Sequence, residues 1–242
     1  ANVGLIMCVA LICMECAMTR RQFGVKACLL LAAILALFGF TRDGQLSVLE
    51  SVLILVIFVG FLVESLIAAR QEQGSELPAQ EERPKIDKKT VLLNIGKFLL
   101  GAAGIVLGAQ LLIDNGSALA RMLGVPDAVI AATMIAIGTS LPELVTTLTA
   151  IKKKQASLSV GNIIGANIMD LTLIMPLCAV IQGKPMTVER QGMLLDIPAC
   201  LIICAAALIP ALVQGKFKRW IGYLIGGLYI AYLIIMFTCF GA

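Results

Sequence analysis

Residues 136–144 read Ala136-Ile137-Gly138-Thr139-Ser140-Leu141-Pro142-Glu143-Leu144, inside a run from 128 to 151 whose only charge is Glu143. A carboxylate at that depth in an apolar run costs roughly 3 kcal/mol or more unless it is partnered, so it is first read as functional. Pro142 has no amide hydrogen and clashes with the carbonyl four residues back, which places Gly138 where the helix must open. Carbonyls around 136–138 are then freed. Thr139 and Ser140 stand four and three residues before Glu143 and share its helix face. A carboxylate, two hydroxyls and unwound carbonyls at one point form a hard oxygen cluster, which suits Na⁺ or Ca²⁺ and not soft transition metals.

Twenty residues further on, Gly161-Asn162-Ile163-Ile164-Gly165-Ala166-Asn167-Ile168-Met169-Asp170 brings a second carboxylate. Gly161, Gly165 and Ala166 allow a neighbouring backbone to approach closely. Asn162 and Asn167 either tie the broken helix to its partner or act as ligands. Glu143 and Asp170 have no basic residue within a helical turn or two. The acids Glu15, Glu50, Glu64, Asp114 and Asp196 lie closer to span ends, where each is expected to reach the interface, Glu64 beside Arg70.

The rest of the chain supplies the membrane. Its 242 residues are 60% hydrophobic and 14% charged, with a mean hydropathy of +0.97, well beyond the composition of a soluble domain. This argues against secreted, nucleic-acid-binding and disordered classes. No His is present, which removes His-based catalysis and His metal sites. The eight Cys fall in apolar runs and read as small core residues. Apolar runs predict a partial span at 1–18 and spans near 26–40, 48–69, 92–113, 128–151, 157–182, 192–214 and 219–240. Residues 70–91 hold five acids and five bases and read as a solvated linker. If the spans alternate, Arg20, Arg21, Lys26, Arg70, Arg83, Lys85, Lys88, Lys89, Lys152–Lys154, Lys216, Lys218 and Arg219 share one side. Arg42, Arg121, Lys184 and Arg190 share the other. That bias places the linker and Lys152–Lys154 in the cytoplasm.

A short internal repeat accompanies this alternation. Asp170-Leu171-Thr172-Leu173-Ile174-Met175 resembles Asn2-Val3-Gly4-Leu5-Ile6-Met7, and Asp43-Gly44 matches Gln214-Gly215 at a nearby offset. The span beginning at Asn2 runs inward and the span carrying Asp170 runs outward, the signature of an inverted-topology repeat. The expected organisation is 1–69 as the last three spans of a first repeat, 70–91 as a cytoplasmic linker and 92–242 as a complete five-span second repeat. On this reading the chain is an N-terminally truncated piece of a longer protein.

Gly138-Thr139-Ser140-Leu141-Pro142-Glu143 followed by Gly161-Asn162-x-x-Gly165-Ala166-Asn167-x-x-Asp170 resembles the second α-repeat (here 128–182) of the cation/Ca²⁺ antiporter superfamily, closest to its bacterial and archaeal Na⁺/Ca²⁺ exchanger-like branch. The resemblance implies an all-α, multi-span helical transporter of two inverted repeats, about ten transmembrane helices when intact. It also implies that Thr139, Ser140 and Glu143 are ligands, that Ala136 contributes its backbone carbonyl, that Asp170 is the acid of the partner helix and that Asn2 is its counterpart from the first repeat. Ala166 departs from the family's usual Ser and removes one hydroxyl ligand.

The leading expectation is a multi-pass inner-membrane antiporter exchanging Ca²⁺ against Na⁺ or H⁺ by alternating access, surrounded by membrane lipid. No cofactor is expected beyond the transported ions, and no nucleic-acid partner. Two alternatives stand beside it: an intramembrane hydrolase using Glu143 and Asp170 as an acid pair, and an inactive truncated fragment. Hydroxyl-rich surroundings and broken helices serve cation ligation, whereas a hydrolytic dyad needs neither.

Overall fold

The computed structural model describes residues 1–16, 20–75, 88–130, 133–134 and 136–239. In chain order the helices are α1 (Cys8–Cys13, entered through a π-helical turn at Asn2–Met7), α2 (Arg20–Phe40), α3 (Val48–Ser75), α4 (Lys88–Met122), α5 (Asp127–Ile130), α6 (Ala136–Thr139) and α7 (Leu141–Lys152). They continue with α8 (Ala156–Met169), a π-helical turn (Asp170–Ile174), α9 (Met175–Gln182), a π-helical turn (Gly192–Asp196), α10 (Ile197–Gln214) and α11 (Arg219–Cys239). Two short strands, β1 (Gln45–Leu46) and β2 (Met186–Thr187), join them. Six helical stretches among the described residues are long and apolar enough to cross a bilayer. The run at 128–151, expected as a single crossing, is instead divided among short helices, with the break at Ser140 between α6 and α7. Pro142 lies in the first turn of α7, where a missing amide hydrogen removes no intrahelical bond.

The chain forms two compact units, residues 1–67 with 143–242, and residues 68–142. The first division falls two residues from the expected boundary at 69, and the second, after residue 142, lies inside the expected 92–242 repeat. Helix α3 continues to Ser75 and α4 begins at Lys88, so both ends of the expected linker are helical, and residues 76–87 lie outside the described ones.

In the smaller unit the dominant element is α4. Its 35 residues extend about 52 Å, well over the 30 Å of a hydrocarbon core. Gly138 is what lets α6 lie against it, because a Cβ there would run into the side chain of Ile113. Arg121 closes the turn between α4 and α5 through Asp127, Nε to Oδ1 2.8 Å.

The larger unit has the main core, in which Met7, Leu11, Phe23, Leu30, Ile164 and Phe217 are essentially inaccessible. Helix α11 packs against α1 so closely that Gly4 meets the ring of Tyr229 and Gly222 meets the Cys8 carbonyl. The sequence repeat becomes visible here as geometry. Asn2–Met7 and Asp170–Ile174, the two similar segments, are both π-helical. Gly44 and Gly215, the second matched pair, end their helices in the left-handed region at φ 80° and 70°, which glycine adopts without a Cβ clash.

Two backbone bridges complete the symmetry. The loop after α2 pairs antiparallel with the loop after α9 through Leu46 and Met186. The loop after α1 pairs antiparallel with the loop after α10, where Cys16 and Phe217 exchange N–H···O bonds of 3.1 and 2.9 Å. Leu46 and Phe217, like Cys16 and Met186, stand about 170 residues apart, so each bridge is the repeat image of the other. The loops bearing Arg42 and Lys184 thus share one face, and the loop ahead of Arg20 shares the other with Lys216 and Lys218, as alternating spans require.

Candidate functional site

Within the larger unit the structure brings Asn2 and Asp170 together. Asn2 Nδ2 donates to Asp170 Oδ2 at 3.4 Å across 168 residues of sequence. Each side chain heads its own π-helical turn, an irregularity that widens the helix and is common where side chains serve a site. Asn2 is 7% exposed. Its Oδ1 accepts no hydrogen bond among the described residues, and the same holds for the buried Oε2 of Glu143. The Glu143 and Asp170 carboxylates are close enough to interact electrostatically. Buried acceptor oxygens without donors are rare, and carboxylate and amide oxygens of this kind are the chemistry that a hard cation takes.

The turn carrying Glu143 is braced from α8. Asn162 Nδ2 donates to Thr146 Oγ1 at 3.0 Å, and Thr146 Oγ1 donates to the Glu143 carbonyl at 3.0 Å. Asn162 therefore ties α7 to α8. Asn167 donates to the Ile163 carbonyl of its own helix at 2.8 Å, which leaves its Oδ1 as an acceptor. Thr147 and Ser159 are buried with hydroxyls that find no partner among the described residues.

In the smaller unit Ala136, Thr139 and Ser140 gather at the break between α6 and α7. The Ala136 carbonyl accepts from Thr139 Oγ1 at 3.3 Å and from the Ser140 amide at 3.3 Å. It is thus already engaged, by bonds at the long end of the range. Pro142 has no N–H to offer Gly138, so the carbonyl released by the break belongs to Gly138, two residues beyond Ala136. Ser140 is 8% exposed and Thr139 is exposed.

Three acids read as interfacial have structural partners instead. Glu50 forms a reciprocal cap at the start of α3: its Oε2 accepts from Ser47 N at 2.8 Å and Ser47 Oγ at 2.7 Å, while its own amide donates to Ser47 Oγ at 3.3 Å. Glu64 is only 16% exposed in its side chain and pairs with Lys26 of α2 at 3.7 Å, not with Arg70. Asp196 is half-buried and accepts from Tyr232 Oη of α11 at 3.0 Å and from Gln191 Nε2 at 3.5 Å. A signal for the last two was present in the sequence, since Arg21-Gln22 ahead of Lys26 recurs as Arg190-Gln191 ahead of Asp196.

Residues 93–238 match the family described as sodium/calcium exchanger protein. The chain is 35% identical over 144 residues to the sodium/calcium exchanger MaX1 of Methanosarcina acetivorans, covering 60% of this chain and 41% of that one. It is 30% identical over 203 residues to the inner membrane protein YrbG of Escherichia coli, covering 81% of this chain and 61% of that one. The chain thus spans 41% and 61% of these curated relatives, less than two thirds of either. Among solved structures, the sodium-calcium exchanger NCX_Mj soaked with Na⁺ and Sr²⁺ superposes with a TM-score of 0.74 at 26% identity, over 96% of this chain and 72% of that one. The family match covers more than half of the residues and includes both Glu143 and Asp170, so this multi-span, all-helical membrane chain belongs to the sodium/calcium exchanger protein family.

Proposed function

We propose that this chain forms a large part of a secondary antiporter of the inner membrane that exchanges Ca²⁺ against Na⁺ or H⁺ by alternating access. Its ligands are the carboxylates of Glu143 and Asp170, the amide oxygen of Asn2, the hydroxyls of Thr139 and Ser140 and a backbone carbonyl at the α6–α7 break. Ala136 is the carbonyl that the family resemblance names, and Gly138 is the one that the break releases. Residues 1–69 and 92–242 are parts of two inverted repeats, the first contributing Asn2 and the second the α6–α7 break with Glu143 and the segment that carries Asp170. The observation that carries this reading is the meeting of Asn2 and Asp170 at 3.4 Å, with Asn2 Oδ1 and Glu143 Oε2 buried and lacking donors among the described residues. Oxygens that no hydrogen satisfies are what a dehydrated cation needs, and two carboxylates supply the charge for a divalent one. The printed names of MaX1 as a sodium/calcium exchanger and of CaxA from Alkalimonas amylolytica as a putative antiporter support the same reaction class.

The test is ⁴⁵Ca²⁺ flux into vesicles containing the full-length protein under imposed Na⁺ or H⁺ gradients. Glu143→Gln keeps the size and one acceptor oxygen of the side chain but removes its charge, and exchange is expected to be abolished. Wild-type flux from that variant would refute the ligand assignment. Whichever gradient drives uptake identifies the coupling ion.

A further inference from the structure

Helix α7 ends at Lys152 in a turn that its own backbone closes. The amide of Lys153 donates to the Thr149 carbonyl at 3.0 Å, that of Lys154 to Ile151 at 2.9 Å and that of Gln155 to Ala150 at 2.8 Å. The last two bonds are the pair that makes a Schellman motif, which needs a left-handed residue at position 154. Lys154 supplies it at φ 57°, and among the described residues it is the one non-glycine residue with a positive φ. Helix α4 ends in the same motif, with Gly124 donating to Arg121 and Val125 to Ala120, both at 3.0 Å, and there the left-handed residue is glycine. Gly44, Gly183 and Gly215 fill the left-handed place in three other turns.

A side chain in that conformation costs stability that glycine would spare, so Lys154 holds its place against the local preference of the backbone. Strain of this kind points to a function for the residue that bears it. Lys152, Lys153 and Lys154 are consecutive and exposed. The helix end does not require all three, since Lys152 already stands in the last turn of α7, where a cation meets the negative pole of the helix. The turn is short: α8 starts at Ala156, and the stretch Ser157–Gln182 is long and apolar enough to cross a bilayer. Three ammonium groups are thus held where headgroups lie, on the side that the basic-residue bias assigns to the cytoplasm.

We propose that Lys152–Lys154 is a binding site for an anionic phospholipid of the inner leaflet, with Lys153 and Lys154 taking the headgroup phosphate beyond the end of α7. An ammonium on a flexible stem meets a phosphate as a point charge, and each lysine at the surface adds to the attraction. The partner is a lipid and not free phosphate because the turn adjoins a span that begins at Ser157, along which acyl chains lie. Helix α7 has twelve residues with Glu143 in its first turn, so a headgroup held at its last turn pins from the other end the helix that presents this carboxylate.

The test is a titration of the delipidated, purified full-length protein with phosphatidylglycerol, bound lipid being counted by native mass spectrometry, with phosphatidylcholine and inorganic phosphate as competitors. A saturable phosphatidylglycerol site is expected that neither competitor empties at equal concentration and that salt weakens. Lys152→Gln, Lys153→Gln and Lys154→Gln together should remove that site, and each alone should weaken it about fivefold. Lys154→Gly separates binding from folding: the melting temperature should rise as the strain is relieved, while phosphatidylglycerol affinity falls. Lys154→Arg should keep the affinity. Phosphatidylglycerol binding unchanged in the triple variant would overturn the proposal. Wild-type affinity in Lys154→Gly would overturn it equally, leaving the lysines as helix-end charges, and so would displacement by equimolar inorganic phosphate, which would assign the site to a free anion.

Discussion

Asp170 and Asn2 stand at the same place in two copies of one short segment, yet only one carries a charge. Because one copy already uses an amide there, Asp170→Asn should reduce ⁴⁵Ca²⁺ exchange less than Glu143→Gln; a larger defect in Asp170→Asn would reverse that order. Protons and Ca²⁺ compete for the same carboxylates, so uptake should fall as the pH is lowered even when Na⁺ is the coupling ion. Uptake unaffected by acidification would mean that neither carboxylate is reached by protons. Gly4 offers a test of packing alone: a methyl there would stand 2.6 Å from a ring carbon of Tyr229, and Gly4→Ala should cost about 1–3 kcal/mol, read as a lower melting temperature of the purified protein. The carboxylate pair and Asn2 were legible in the sequence because ionisable residues stand out against an apolar background. Tyr232 was not, since a phenol near a span end ordinarily needs no partner from the protein, and Lys26 was marked only by the recurrence of Arg21-Gln22 as Arg190-Gln191.

At the scale of single helices, the α6–α7 break was legible from Pro142, because the consequence of a missing amide hydrogen is local. Its exact position was not. The sequence placed the opening at Gly138, and the structure interrupts the helix at Ser140 with Ala136 already accepting two bonds. Replacing Pro142 by Ala restores an N–H that can reach the Gly138 carbonyl, straightens the run and should weaken transport with little effect on expression. An unchanged exchange rate would show that the break plays no part in the site. Glu50 is the contrasting case, an acid whose function is local. Its Ser47-x-x-Glu50 cap was readable from the spacing alone, and Glu50→Ala should cost about 1 kcal/mol of stability without altering ion selectivity in the flux assay.

For the molecule as a whole, the positive-inside bias predicts that 70–91, Lys152–Lys154 and Lys216–Arg219 face the cytoplasm. A cysteine introduced at Gln80 should resist an impermeant reagent applied to intact cells, and one introduced at Lys184 should react; the opposite pattern would invert the topology. The alternation behind this prediction came from counting spans, but the pairing of the loops could not be foreseen. Backbone bridges as short as Leu46–Met186 and Cys16–Phe217 have no pattern of their own in sequence. Those bridges are made of main-chain atoms, and each joins a loop that precedes residue 76 to one that follows residue 87. Side-chain drift between the repeats leaves them intact, and so does a cut in the intervening peptide. A protease that nicks the chain between Ser75 and Lys88 should therefore yield two fragments that co-migrate until detergent strips them apart, and the two halves expressed as separate polypeptides have a built-in means of finding each other.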